Sequence, residues 1–108
     1  MIVTGGENVY SIEVEAALLE HTEVEEAAVF GIPDARWGEA VHAVVHLAPG
    51  ATVTPGQLID HCRGLIAGYK SPRAIDISAQ PLPKSGAGKL LKHTLREPYW
   101  VGHDRRVS

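Results

Sequence analysis

Lys89 stands at the end of a proline-bounded loop, Pro81-Leu82-Pro83-Lys84-Ser85-Gly86-Ala87-Gly88, and is followed by Leu90-Leu91-Lys92. Gly86 and Gly88 lend that loop the backbone freedom to carry an ammonium group to an anion held elsewhere. A lysine delivered in this way can offset charge on a phosphate or a carboxylate. Ser85 has no base evident beside it, so no serine nucleophile is expected.

Other chemical candidates fail on spacing. A P-loop needs a glycine five places before its Gly-Lys pair and a Ser or Thr after it. Pro83 and Leu90 occupy those positions. Gly5-Gly6 lacks the third glycine of a dinucleotide fingerprint. His42 and His46 have a metal-ligand spacing for a helix, but they fall on an alternating stretch that reads as a strand. There they stand about 13 Å apart, too far to share one ion without a bend, and are expected at the surface. Cys62 lies on an apolar helical stripe and reads as a packed small hydrophobe.

These residues need elements to position them. Ile2-Val3-Thr4 reads as a short strand entering the Gly5-Gly6 turn. Ser11 is a candidate cap for a helix over residues 12–21, with Glu13 and Glu15 as charges favoured at its N-terminus. Strands are expected over 27–32, stopped by Pro33-Asp34, and over 41–47, stopped by Pro49-Gly50. Thr54 and Pro55 predict the start of a second helix, whose stripe is Leu58, Ile59, Cys62, Leu65 and Ile66, closed by Gly68. Residues 74–77 read as a strand before the lysine loop, and 90–96 as a last short helix. The order predicts a small compact α+β domain, in which a short antiparallel β-sheet plus an N-terminal hairpin is flanked by two to three helices.

Composition bounds the function. The chain has 108 residues, 44% of them apolar, which suits one domain burying roughly 60–65% of its unfolded surface. No apolar run is long enough to span a membrane. The lone cysteine and the absence of a basic-then-apolar leader make the cytoplasm the expected compartment. Net charge is −3, unevenly spread. Residues 1–62 hold ten acids and one base, and residues 63–108 hold nine bases and three acids. The basic half suits a phosphate-bearing small molecule. Nucleic acid is not expected, because no aromatics are interleaved with the clustered lysines. Arg105 and Arg106 read as a solvated tail.

The segment from Ile2 through Gly5-Gly6-Glu7-Asn8-Val9-Tyr10-Ser11 to Glu15 resembles the hairpin opening the C-terminal domain of acyl-CoA synthetases, in the adenylate-forming (AMP-binding) superfamily. Gly31-Ile32-Pro33-Asp34 with Trp37-Gly38-Glu39 resembles a second family segment, Tyr69-Lys70-Ser71-Pro72-Arg73 a third, and Leu82 to Arg96 a fourth. All four come in family order and cover nearly the whole chain. Ser11 departs from the proline of many members. The ending Arg96-Glu97-Pro98-Tyr99-Trp100, with Arg105-Arg106-Val107, is similar to actinobacterial fatty-acid-CoA ligases.

The resemblance implies a two-step reaction: ATP and a carboxylate give an acyl-adenylate, and CoA then displaces AMP to give a thioester. It implies that Lys89 is the adenylation lysine, on a loop supported by Ser85, Gly86 and Gly88. It further implies that the hairpin of Gly5, Gly6, Glu7 and Asn8 lines the pantetheine path after a domain rotation, and that Lys70 and Arg73 meet CoA phosphates. Trp37 reads as packing. ATP, its Mg and the acyl pocket would belong to an N-terminal adenylating domain absent from this chain. Residues 1–108 are thus expected to be the mobile lid, inactive alone, as an excised domain, a truncated frame or a separate subunit. The alternative is a stand-alone module binding CoA, or docking a separate adenylating or phosphopantetheine-carrier protein.

Overall fold

The computed structural model describes residues 1–102, so Arg105, Arg106 and Val107 lie outside the described residues. In chain order it holds strands β1 (Ile2–Thr4) and β2 (Glu7–Val9), helix α1 (Ser11–Leu19), strands β3 (Val24–Asp34) and β4 (Gly38–Leu47), helix α2 (Pro55–Arg63), a 3-10 turn at Gly68–Lys70, strand β5 (Ala74–Ser78) and helix α3 (Lys92–Trp100). This is the α+β domain with an N-terminal hairpin that the sequence predicts.

β4 is the hub of the sheet. β3 pairs antiparallel with it from Gly38 to Leu47, along one edge. The other edge is shared by two strands. β1 meets it where Thr4 opposes Gly38, and β5 runs parallel to it from Ala74 beside His42 to Ser78 beside His46. The parallel strand follows from the α2 crossover, which returns the chain to the start of β4's inner half. Ala40 to Val45 are all buried, because both faces of the sheet are covered. On one face Val14, Leu18, Leu58 and Cys62 pack on Val29, Val41 and Val45. On the other, Ala28, Phe30, Val44 and Leu82 form a second core against which Leu90, Leu95 and Tyr99 pack.

A bulge in β3 separates the face of Val24 from that of Glu26. Val24 pairs with Leu47 and Glu26 with His46, leaving Glu25 as an extra residue. Such a bulge re-aims side chains. Val24 therefore joins the first core, while Glu26 lies on the same side as Ala28 and Phe30, facing the lysine loop.

Several boundaries differ from the sequence reading. Ser11 is the first residue of α1 rather than its cap; Tyr10 holds the cap position and makes no side-chain cap bond. The Ser11 hydroxyl instead accepts a bond from Lys92 Nζ at 3.2 Å. β3 runs through Pro33-Asp34, because β3 is an edge strand and a proline there forfeits no ladder bond. The α2 start is as expected: Thr54 and Gln57 form a reciprocal capping box with Pro55 in the first turn. Its end is earlier, at Arg63, so Leu65 is exposed. α3 starts and ends later than 90–96 and continues past Pro98.

His42 corrects a second expectation. It is 4% exposed rather than on the surface, because α3 covers its face of β4. The Tyr99 ring lies 4.7 Å from its own, and its Nε2 is 3.0 Å from Asp76 Oδ2. His46 is half-buried, with Nδ1 3.0 Å from the Ser78 carbonyl. Among the described residues no group of His, Cys, Asp and Glu could hold a metal ion. Cys62 is packed, as expected, and burial pushes its thiol up to about 11. No helix among the described residues is long and apolar enough to cross a membrane.

Candidate functional site

The lysine loop is a closed turn rather than a loose tether. Ser85 N donates to the Lys89 carbonyl at 2.8 Å, Gly88 N to the Ser85 carbonyl at 2.9 Å, and Lys89 N to Ser85 Oγ at 3.2 Å. Below the turn Lys84 and Leu90 form a β-bridge, and Leu91 N reaches the Pro83 carbonyl at 2.8 Å. Gly88 sits at φ +83°, a conformation that L side chains resist. Gly86 needs no such angle and has open space around it. Ser85 therefore supports the loop through both its backbone and its hydroxyl.

The three lysines of this segment have different fates. Lys84 Nζ pairs with Glu26 Oε2 and donates to the Leu82 carbonyl at 3.0 Å. Lys92 Nζ pairs with Glu15 Oε2 at 2.7 Å. Lys89 is exposed, and its ammonium has no carboxylate partner among the described residues. The fold thus consumes the charge of its neighbours and leaves Lys89 available to an outside anion.

A second neighbourhood forms around Trp37. Gly5 N donates to the Trp37 carbonyl at 2.9 Å, and a Cβ on Gly5 would lie 2.8 Å from the ring. Gly5 and Gly6 both have positive φ, 58° and 83°. Glu7 and Asn8 are exposed on β2, opposite Thr4 and Val3. The guanidinium of Arg73 lies 4.7 Å from the Trp37 ring centre and that of Arg36 4.9 Å. Stacked guanidinium groups keep their edges free for hydrogen bonds. Trp37 is thus packing, as the sequence suggests, but packing that joins the hairpin to Arg73.

Beside it, Arg63, Tyr69, Ser71 and Arg73 line a cavity of about 200 Å³. Ser71 is 4% exposed, and its hydroxyl has no hydrogen-bond partner. An anion oxygen in this cavity would find guanidinium charge from Arg63 and Arg73 around it. Lys70 is differently placed. Its ammonium is held by Glu13 at 3.1 and 3.2 Å, and that bond raises its pKa above the ordinary lysine value. The structure so brings Gly5, Gly6, Arg73 and Ser71 into one region, and Lys89, Ser85 and Gly88 into another.

Sequence reasoning missed the anchoring carboxylates Glu15 and Glu26 and the Arg63–Ser71 cavity. Glu15 carried a usable signal, being a second acid on a helix face otherwise apolar at Val14 and Leu18. Glu26 alternates with Ala28 and Phe30 but falls just before the strand expected to begin at 27, so its face went unread.

Residues 13–89 match the family model described as the AMP-binding enzyme C-terminal domain. A feruloyl-CoA synthase of an Amycolatopsis species is 42% identical over 99 residues, covering 92% of this chain and 20% of that protein. A long-chain-fatty-acid–CoA ligase of Mycobacterium tuberculosis is 41% identical over 99 residues, covering 92% of this chain and 19% of that protein. The crystal structure of a Brucella canis acyl-CoA synthetase superposes with a TM-score of 0.85 at 40% identity, covering 91% of this chain and 18% of that one. The chain therefore spans about a fifth of the length of the relatives it matches.

Proposed function

Because the chain belongs to the AMP-binding enzyme C-terminal domain family, we propose that it is the mobile catalytic lid of an acyl-CoA synthetase, with Lys89 as its adenylation lysine. The observation that carries this reading is the exposed ammonium of Lys89 between two lysines already bound to carboxylates. Presented to a bound carboxylate and the α-phosphate of ATP, that charge offsets the repulsion between two approaching anions. ATP and its Mg would be held by a partner N-terminal adenylating domain, in the same chain or a separate subunit, acting in the cytoplasm.

CoA is proposed to meet the second neighbourhood after the lid rotates. The backbone of Gly5, Gly6, Glu7 and Asn8 would border the pantetheine arm, where the absence of a side chain on Gly6 leaves room and that on Gly5 lets the hairpin lie against Trp37. Arg73 would take a phosphate of CoA, with Ser71 and Arg63 in the cavity beside it. Lys70 would join them only by releasing Glu13.

The test grafts this chain in place of the matching region of the Mycobacterium tuberculosis ligase. Lys89→Ala should lower acyl-adenylate formation about 100-fold or more, while thioester formation from supplied acyl-adenylate changes far less. Equal loss of both half-reactions would remove the assigned role. The Ser71 cavity also supports the second reading, a free-standing module that binds CoA, and calorimetric titration of the 108-residue chain with CoA separates the two.

A further inference from the structure

The turn that carries Lys89 has two stems, and each ends on a carboxylate from the acidic half of the chain. On the incoming stem, Glu26 accepts the Leu82 amide on Oε1 at 2.8 Å and pairs with Lys84 through Oε2. On the outgoing stem, Glu15 Oε2 accepts Lys92 Nζ at 2.7 Å and the Val29 amide at 2.9 Å. Val29 belongs to the edge strand, so Glu15 reaches from α1 past the sheet edge to the first residue of α3. We propose that Glu26 and Glu15 are positioning residues for the reaction, clamping the two stems so that the Ser85–Lys89 turn presents Lys89 at a fixed height and direction.

Three observations support it. Glu26 alternates with Ala28 and Phe30 in the unbroken register of β3, which puts its carboxylate on the loop face, while the bulge before it sends Val24 to the other. Each carboxylate ties a backbone amide and a lysine together, which fixes a chain position as well as a charge. The Lys84 ammonium, then the Leu82 amide, hold the Glu26 carboxyl below the usual range, so both bonds persist through neutral pH. Displacing a catalytic group by about 1 Å can cost about 100-fold in rate, so an anchor at the loop's base acts on chemistry without touching substrate.

This inference rests on Lys89 acting in adenylation, and the experiment keeps the two apart. In the 108-residue chain, Glu26→Gln and Glu15→Gln should each speed amide exchange at Ser85 and Lys89 about tenfold while β4 amides keep their protection. In the grafted ligase, Glu26→Gln should lower the kcat of adenylation about tenfold, leaving the KM for ATP and thioester formation from supplied adenylate within about twofold. The paired swap of Glu26→Lys with Lys84→Glu restores the ion pair but leaves the Leu82 amide without its acceptor, so it should recover only part of that loss. Unchanged exchange, equal loss of both half-reactions, or full adenylation by both glutamine variants beside an inactive Lys89→Ala would overturn the inference. Full adenylation by Lys89→Ala would instead overturn the role given to Lys89, and the exchange data alone would then decide the anchoring.

Discussion

Gly5 meets two demands at once. Its φ of +58° is one that L side chains rarely adopt, and the space where a Cβ would go is filled by the Trp37 ring at 2.8 Å. Gly6 meets only the first, with φ +83° and nothing within 4 Å. Alanine at Gly6 should therefore cost about 1–2 kcal/mol, the left-handed penalty alone. At Gly5 the ring must also move, adding about 1–3 kcal/mol. Urea denaturation of the two variants tests the ranking, and equal costs would mean that Trp37 yields freely. The sequence shows both glycines and the tryptophan, but not that the chain folds back to bring them into contact. Their meeting depends on the pairing of β1 with β4, a long-range event that no local pattern encodes.

At the scale of the element, α3 shows tertiary contacts overruling local propensity. Proline at position 98 lacks the amide that a helix interior uses, and the sequence reading stops the helix before it. The helix nevertheless continues, because its last turn is pinned to the sheet. Trp100 Nε1 donates to the Gly31 carbonyl at 2.9 Å, and the Tyr99 hydroxyl donates to Asp76 beside His42. The pin is pH-dependent on both sides. Tyr99, chiefly through burial and then its bond to Asp76, is pushed up to about 12. Its neutral form is favoured by folding, so that share of stability is intact below about pH 10 and lost as pH rises toward 12. Asp76, chiefly through the Tyr99 bond and then His42, lies below the usual carboxylate value. Its share is present above about pH 4 and lost as pH falls below that. Melting temperatures measured from about pH 3 to about pH 11.5 should fall at both ends, and Tyr99→Phe should remove part of the alkaline fall. The rest belongs partly to Lys70, raised by Glu13. An unchanged alkaline limb in Tyr99→Phe would show that the hydroxyl is not part of the pin.

Across the whole molecule, the charge asymmetry is partly neutralised within the fold. The acidic half meets the basic half in Glu13–Lys70, Glu15–Lys92 and Glu26–Lys84. Such partly exposed pairs contribute less stability than the buried side chains of the first core. Leu58→Ala, at a fully buried site, should cost about 2–5 kcal/mol in urea denaturation. Glu13→Gln should shift the midpoint far less, and a shift as large as that of Leu58→Ala would reverse this ranking. The sequence by itself determined the element types, the capped start of α2, the glycine hairpin and the lysine in its proline-bounded loop. These are local properties, set by side-chain periodicity and by the backbone limits of glycine and proline. Only the tertiary structure decided that His42 is buried, that Glu26 faces the loop, and that Lys84 and Lys92 are neutralised while Lys89 is left exposed. Those outcomes depend on strand register and on which helix covers which face, and both arise from contacts between residues far apart in the chain.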